Sequence, residues 1–214
     1  MKYVISVLNK KGGAGKTTTA ISLASGLHRD GKNVVLIDAD RQGTARKWMS
    51  WGQCGFPVIA LSSFEEFVQF DQITKPYDFV VIDGPPGTDT NPAQVTLSAL
   101  KLSDLVVIPI QPSPFDIEAS QDLFELIKER QSLMEGRPKS AVLLTMAVQN
   151  TRNLRKATEY LDTVGLPVFD AMTTVLMDWP DSEGAGMTPV SYAPKGRAAE
   201  QEISIYNEFK ERFL

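Results

Sequence analysis

A glycine-rich segment near the start of the chain carries residue types suited to binding phosphate. It reads Lys10-Lys11-Gly12-Gly13-Ala14-Gly15-Lys16-Thr17-Thr18 and lies between an apolar run and a helical pattern. Glycines let backbone N–H groups turn toward phosphate oxygens, and the N-terminus of the following helix adds positive potential at the same point. We therefore expect Lys16 to reach the β- and γ-phosphates of a nucleotide and the Thr17 hydroxyl to bind Mg²⁺.

Three carboxylates follow apolar runs elsewhere in the chain. Asp38 and Asp40 come after Val34–Ile37, and Asp83 comes after Phe79–Ile82. A carboxylate that ends an apolar strand is costly unless it meets water, a cation or hydrogen-bond donors. Any one of the three would suit a cap or a turn equally well. Together, facing one phosphate loop, they predict a Mg²⁺ and water site.

The strands and helices that must position these residues can be predicted from apolar runs that alternate with helical patterns. Val, Ile and Leu follow one another directly in the runs, as in parallel strands covered on both faces. The predicted strands are Tyr3–Leu8, Asn33–Ile37, Phe79–Ile82, Leu105–Ile110 and Ala141–Thr145. The predicted helices are Thr17–Arg29, Phe115–Met134, one that starts near Asn150 and one from about Ala198 to Phe213. This order predicts an α/β fold with a doubly wound, mostly parallel sheet flanked by helices.

Bulk composition narrows the class of protein. With 43% hydrophobic and 22% charged residues, the 214 residues suit one globular domain, and we expect it to span 1–214. Residues 178–197, rich in Gly and Pro, are predicted to form a long loop. Cys54 is the only cysteine, which excludes an intramolecular disulfide and suits a reducing cytoplasm. No apolar run is long enough for a signal peptide or a membrane span, so we expect a soluble, cytoplasmic protein.

The glycine-rich segment departs from the standard P-loop, because Lys10 stands where that pattern has its first Gly. Lys11-Gly12-Gly13-x-Gly15-Lys16-Thr17-Thr18 instead resembles the deviant Walker A box shared by ParA, MinD, the nitrogenase iron protein and arsenical pump ATPases. Asp38-Ala39-Asp40-Arg41-Gln42 and Asp83-Gly84-Pro85-Pro86-Gly87 resemble the two switch segments of ParA proteins. Arg41 departs from the proline usual there. The resemblance covers nearly the whole chain and is greatest to small ParA-type ATPases without an N-terminal helix-turn-helix domain.

The resemblance implies a role for each of these residues, with ATP and Mg²⁺ as cofactors. Lys11 is the signature lysine that crosses a dimer interface to the partner's phosphates, and Lys16 is the phosphate lysine. Asp40 positions the attacking water, whereas Thr17 binds Mg²⁺ directly and Asp38 and Asp83 hold it through water. The remaining nucleotide contacts fall to Gly12, Gly13, Ala14, Gly15 and Thr18 around the phosphates, and to Pro112 beside the adenine.

The function implied is that of a slow ATPase whose ATP-dependent homodimer partitions plasmid or chromosomal DNA or positions a cargo. A small adaptor, centromere-binding or cargo protein would stimulate hydrolysis. The segment Arg137–Lys156 contains five basic and no acidic residues, although the chain carries a formal net charge of -4. Helical spacing places Arg152, Arg155 and Lys156 on one face, which suits either non-specific binding to DNA phosphates or a solvated surface. Lys195 and Arg197 are further candidates, and DNA binding would associate the protein with the nucleoid.

Two other functions fit the same motifs less well. A metabolic ligase or kinase would need a substrate pocket that the sequence does not reveal. A MinD-like spatial regulator would need a C-terminal membrane helix, and the amphipathic segment 202–214 is not basic enough to favour anionic lipid. We therefore expect that segment to pack on the domain.

Overall fold

The computed structural model describes residues 2–52, 55–87 and 90–214, so Cys54 lies outside the described residues. The described strands all run parallel in one sheet. They are β1 (Tyr3–Val7), β2 (Val34–Asp38), β3 (Val58–Ala60), β4 (Phe79–Asp83), β5 (Leu105–Ile110) and β6 (Lys139–Leu144). The order across the sheet is β3-β2-β4-β1-β5-β6. Because β1 lies inside the sheet and the chain winds outward from it in both directions, the predicted doubly wound α/β fold is confirmed.

Helices cover both faces of this sheet. The longer ones are α1 (Lys16–Arg29), α2 (Thr44–Trp51), α5 (Thr90–Leu102), α6 (Pro114–Leu133), α7 (Arg152–Val164) and α10 (Arg197–Phe213). The shorter ones are α3 (Phe64–Phe67), α4 (Phe70–Thr74), α8 (Asp178–Gly184) and α9 (Pro189–Tyr192). Buried side chains of α1, α2 and α10 share one core cluster, and those of α5, α6 and α7 share the other. Each strand is apolar at successive positions because each face of the sheet meets one of these clusters.

Several elements are absent from the sequence prediction: the helices α2, α3, α4 and α5, the strand β3, and two helices within residues 178–197. The strand β3 has three residues, pairs only with β2 at the sheet edge and follows Pro57, so its short apolar run did not predict a strand. The predicted loop 178–197 contains α8 and α9, so the prediction of a continuous loop was wrong. Both helices are a few residues long and include proline, which masks their helical periodicity.

The C-terminal helix α10 packs on the domain, as predicted. Its apolar face, which includes Ile205, Tyr206 and Phe209, is buried in the cluster that also receives α1. Among the described residues, none of the helices combines the length and the apolar character that crossing a bilayer requires.

A glycine permits the close contact between α1 and α10. A Cβ atom on Gly26 would lie 2.3 Å from Cδ2 of Tyr206, which is well inside van der Waals contact. The tyrosine hydroxyl donates to Asp30 at 3.0 Å, and Lys210 Nζ lies 2.9 Å from the same carboxylate. The ring of Tyr206 is therefore fixed at its hydroxyl end and cannot swing away from a larger residue.

Gly26→Ala should destabilise the chain by about 1–3 kcal/mol, because the added methyl group would overpack the α1–α10 contact. Gly184→Ala is the matched control, since a Cβ atom there meets nothing within 4 Å and alanine favours helix. Urea unfolding should show a lower midpoint for Gly26→Ala and an equal or higher one for Gly184→Ala. Equal stability of the two variants would contradict this account of the contact.

Candidate nucleotide site

The glycine-rich segment connects β1 to α1 at the edge where the parallel strands end. Gly13 and Gly15 have φ of 74° and 89°, in the left-handed region that glycine adopts without strain. The Thr145 hydroxyl donates to the carbonyl of Ala14 at 2.9 Å, and the Gln111 side-chain amide donates to the carbonyl of Gly13 at 2.9 Å. These bonds tie the loop to residues that follow β5 and β6. The curved backbone that results is of the kind that binds anions through its N–H groups.

Lys16, the first residue of α1, is buried beneath this loop, with 7% of its surface exposed. Its ammonium group donates to the carbonyl of Lys11 at 2.9 Å. Burial lowers the pKa of Lys16, and the nearby carboxylates of Asp83 and Asp40 oppose that shift. A buried ammonium group with one carbonyl partner can exchange that partner for phosphate oxygens.

Two of the predicted carboxylates are neighbours across the sheet. Asp38 ends β2 and Asp83 ends β4, and the two residues pair directly in the β2–β4 register. On its other side Asp83 pairs with Val7, the last residue of β1. The strand order thus places Asp83 between Asp38 and the start of the glycine-rich loop. The sequence prediction that these groups face one site agrees with this arrangement.

The two carboxylates differ in their partners. The oxygens of Asp38 accept backbone hydrogen bonds from Asp40 at 3.2 Å and Arg46 at 3.0 Å. Burial raises the pKa of Asp38, and these bonds oppose the shift. Within the described part of the chain, neither oxygen of Asp83 accepts a well-formed hydrogen bond, although the residue is fully buried.

Burial raises the pKa of Asp83 to about 7, with the Thr17 hydroxyl opposing the shift. A buried carboxylate with so little hydrogen bonding is costly, and hydrated Mg²⁺ would supply both a cation and donors. The residues present therefore fit Mg²⁺, with Thr17 as a direct ligand and Asp83 as a partner of its waters. Asp38 fits the same role less directly, because its oxygens already accept backbone bonds.

The two switch-like segments lie against each other beside these carboxylates. The backbone N–H of Ala39 donates to the carbonyl of Asp83 at 3.0 Å. Residues 39–42 and Pro85 and Pro86 border one cavity of about 190 Å³. Asp40 is half-buried there, and one of its oxygens accepts the backbone N–H of Gln42 at 2.9 Å. Its carboxylate is therefore held by its own turn at the mouth of the site.

The second of these segments leaves the sheet through a glycine. A Cβ atom on Gly84 would lie 2.5 Å from Leu8 Cδ2 and 2.9 Å from the carbonyl oxygen of Val7. The N–H of Gly84 donates to that same carbonyl at 3.0 Å, and the N–H of Gly87 donates to Lys10 at 2.7 Å. Only glycine allows this segment to run directly against the start of the phosphate loop.

A separate cavity of about 300 Å³ opens beside Gly15 and Thr18 at the other end of the loop. Its wall is mostly apolar and includes Met146 and residues 173–177. Such a cavity can hold a base whose phosphates lie on the glycine-rich loop. Pro112 is not among the residues that line it, so its contact with adenine stays a prediction.

Lys11 contacts its own chain through residues that the sequence analysis did not single out. Its ammonium group lies 2.6 Å from Oδ1 of Asp116, whose side chain is 4% exposed, whereas that of Lys11 is 39% exposed. Its backbone N–H donates to Oδ1 of Asn9 at 2.9 Å. Asn9 is buried and its amide donates to the carbonyl of Pro109 at 2.7 Å. A polar residue directly after the apolar run of β1 was the available signal for Asn9.

The five candidate DNA-binding residues are exposed but belong to two different layers. Arg152, Arg155 and Lys156 lie in the first turns of α7, which packs on the core cluster of α5 and α6. Arg197 begins α10 and Lys195 lies in the turn before it, on the other face of the sheet. Lys156 also lines a groove of about 370 Å³ between α6 and α7, beside Glu118. Arg152 and Arg155 form no ion pair with a carboxylate of residues 2–52, 55–87 or 90–214.

Comparison with known proteins agrees with this geometry. A family model described as an AAA domain, AAA_31, matches residues 2–53 and 61–137. The "Maintenance of carboxysome distribution protein A" of Halothiobacillus neapolitanus is 30% identical over 212 residues, which are 96% of this chain and 95% of that protein. This chain belongs to the ParA-type deviant Walker ATPases.

Solved structures share the fold of this ParA-type ATPase. The complex of a McdA variant from Cyanothece with ATP superposes with a TM-score of 0.76 at 14% identity, covering 98% of this chain and 95% of that one. A putative plasmid partition protein from Borrelia burgdorferi bound to AMPPNP has a TM-score of 0.74 at 18% identity, with both chains covered fully, 100% each. At these identities the likeness establishes the fold, and the site rests on the contacts described above.

Asp83→Asn should stabilise this ParA-type ATPase at pH 8, with nucleotide and Mg²⁺ absent, much more than at pH 5. The folded pKa of about 7 exceeds the ordinary value of 3.8, so the wild-type chain loses stability as pH rises from about 4 to about 7. Asparagine carries no charge to bury and avoids a cost of up to about 4 kcal/mol above pH 7. Urea unfolding of both proteins at both pH values measures the difference.

Asp38→Asn is the control for that measurement. Because Asp38 accepts backbone hydrogen bonds, its replacement should give no comparable gain at pH 8. A gain for Asp83→Asn that is equal at pH 5 and pH 8 would show that the buried charge is not its origin.

Proposed function

We propose that this protein is a nucleotide-switched ATPase that dimerises with ATP and uses the dimer to position an intracellular cargo or to partition DNA. Its domain extends over residues 1–214. ATP and Mg²⁺ bind at the loop of residues 10–18, and hydrolysis returns the dimer to monomers. The output is the change in assembly state, because the chemical products are only ADP and phosphate.

The observation that carries this proposal is the contrast between the two lysines of the loop. Lys16 is buried under the loop. It alone can supply the lysine that one nucleotide site needs for its phosphates. Lys11 adds a second cation whose side chain is 39% exposed on the outside. A cation on that side is accessible to the phosphates of a second chain, where it would neutralise charge as an arginine finger does.

The other residues of the site have separate roles in ATP hydrolysis. The half-buried carboxylate of Asp40, held by its own turn, orients the attacking water. Thr17 and the carboxylates of Asp38 and Asp83 hold Mg²⁺, which neutralises charge on the phosphates when it is bound. Thr18 and the backbone of residues 12–15 bind phosphate oxygens, and Pro112 contacts the adenine. Gly84 and Gly87 allow the neighbouring segment to respond to the γ-phosphate.

The relatives named above suggest the class of cargo. One is named for the maintenance of carboxysome distribution, and a solved neighbour is described as a putative plasmid partition protein. By this likeness, a small adaptor, centromere-binding or cargo protein stimulates a slow basal hydrolysis, and DNA binding associates the protein with the nucleoid. A metabolic ligase on the same scaffold would not need to dimerise in response to ATP. ATP-dependent dimerisation therefore distinguishes the proposed function from that of a ligase.

Asp40→Ala should accumulate as a dimer with ATP and Mg²⁺, because losing the water-orienting carboxylate slows hydrolysis by about 100-fold or more. Light scattering at micromolar protein should report roughly twice the monomer mass of 23.6 kDa with ATP, and the monomer mass with ADP. Lys16→Ala is the matched control, since it removes the main phosphate cation and should abolish both ATP binding and dimerisation. A monomeric Asp40→Ala chain that calorimetry shows to be saturated with ATP would exclude the proposed switch.

A second proposal concerns DNA, through the exposed basic stripe of Arg152, Arg155 and Lys156. Each phosphate neutralised on duplex DNA releases about 0.9 counterion, so binding should be non-specific and steeply dependent on salt. A dimer presents two stripes, which raises the apparent affinity through valency without changing any single contact.

Arg152→Glu combined with Arg155→Glu should abolish DNA binding and leave ATP binding unchanged, because neither residue lies at the phosphate loop. The control reverses two exposed lysines in the connections that precede β2 and β4, Lys32→Glu with Lys75→Glu. Fluorescence anisotropy on an arbitrary duplex at low salt, with ATP, ADP and no nucleotide, measures both pairs. Equal loss in the two double variants would mean that net charge alone drives binding, and no ATP-enhanced binding in the wild type would remove the DNA role.

A further inference from the structure

Lys11 is held within its own chain at three separate atoms. Its backbone N–H donates to Asn9 Oδ1 at 2.9 Å, and its carbonyl accepts Lys16 Nζ at 2.9 Å. Its own Nζ lies 2.6 Å from Oδ1 of Asp116. The side chain that the proposed function assigns to a partner's phosphates is therefore directed to a carboxylate of the same protomer.

Asp116 keeps a partner for one of its two carboxylate oxygens when the lysine leaves. It lies in the first turn of α6, where the helix N-terminus favours negative charge. Its other oxygen, Oδ2, accepts a short hydrogen bond from the Ser113 hydroxyl, and its backbone N–H donates to the same hydroxyl at 3.2 Å. Oδ1, which faces the lysine, is buried with no hydrogen-bond partner among the described residues, so opening the ion pair has a cost that the contacts of the dimer must offset.

The exposed fractions of the two side chains indicate which partner moves when the ion pair opens. Asp116 is buried and fixed on a helix, whereas Lys11 lies on the loop and is 39% exposed. When the pair opens, the lysine is therefore the partner that moves. Because it is already reachable from outside, a phosphate of a second chain can replace Asp116 as its counterion.

Resting on the proposed function, we propose that Asp116 is a positioning residue that holds Lys11 in its own protomer, and that dimerisation with ATP opens this pair. ATP binding contributes through Lys16. Phosphate oxygens that take the Lys16 ammonium group remove its hydrogen bond to the Lys11 carbonyl. One of the three contacts on Lys11 is then lost before the second chain arrives, which couples nucleotide binding to release of the lysine.

Removing the Lys11–Asp116 ion pair should affect dimer affinity through both protomers, because formation of each dimer opens two such pairs. Asp116→Asn keeps the size of the side chain and removes its charge. If each pair contributes about tenfold, the dimer Kd measured with ATP should fall on the order of 100-fold. Asp116→Glu keeps the charge and should restore a Kd near that of the wild type, which loss of fold or of the helix cap would not do.

Asp122→Asn is the matched control on the same helix. Asp122 lies 2.6 Å from Lys10 Nζ, but its side chain is 76% exposed and its partner is not the signature lysine. It should leave the dimer Kd unchanged. In a Lys11→Ala background, Asp116→Asn should also have no effect on dimerisation, because there is no lysine to release.

The experiment measures the dimer Kd by sedimentation with ATP and Mg²⁺ for these variants, alongside ATP affinity by calorimetry. A tighter Asp116→Asn dimer at unchanged ATP affinity, absent in the Lys11→Ala background, supports the proposal. An unchanged or weaker Asp116→Asn dimer beside a normal wild-type dimer overturns it and leaves the proposed function intact. Absence of any ATP-dependent dimer, in the wild type and in every variant, overturns the proposed function and this inference with it.

A second measurement needs no substitution at Asp116. The Lys11 side-chain ammonium signal in the NMR spectrum, assigned by its loss in Lys11→Ala, should shift when the wild-type chain dimerises with ATP. An unshifted signal in a dimer established by sedimentation would overturn the proposal, because the lysine would still be paired within its own chain.

Discussion

Two charges of opposite sign, on Lys16 and Asp83, are buried where β1 and β4 end. Among the described residues, Asp83 is fully buried without a well-formed hydrogen bond, and Lys16 is buried with one carbonyl partner. Each charge is costly to bury alone, so the fold must bring them to the same edge and supply further partners there. The parallel register of β2, β4 and β1 meets this requirement, because all three strands end at the same level. The loop, the switch segments and the carboxylates are arranged around this constraint.

The sequence predicted this arrangement well where the signal is local. The inner strands read as continuous apolar runs because both faces of the sheet are covered, and the glycine-rich loop is recognisable from spacing alone. The edge strand β3 was missed because its apolar run is short and follows Pro57, which disfavours a strand inside a sheet. The helices within 178–197 were missed because Gly and Pro outweighed their short periodic segments.

The parts of the site that escaped prediction depend on contacts between distant positions. Asn9 bonds to Pro109, and Lys11 pairs with Asp116, each across about a hundred residues of sequence. No spacing rule connects such positions, although Ser113 followed three residues later by Asp116 is a recognisable helix-start pattern. The structure also separates the basic candidates into two layers, which a linear stretch of Arg and Lys could not reveal.

The tight contact between α1 and α10 has a mechanical consequence for the nucleotide site. Gly26 lies directly against the Tyr206 ring, Arg29 pairs with the buried Glu202 at 2.9 Å, and Asp30 accepts two further bonds from α10. The helix that begins at the phosphate loop is thus joined to the C-terminal helix along its last turns and cannot tilt independently. Under the proposed function, we expect motion that accompanies a change of nucleotide at residues 39–42 and 84–87, which follow the ends of β2 and β4. The fold therefore braces the helix behind the phosphate loop and leaves the two switch-like segments as the parts that we expect to respond to the nucleotide.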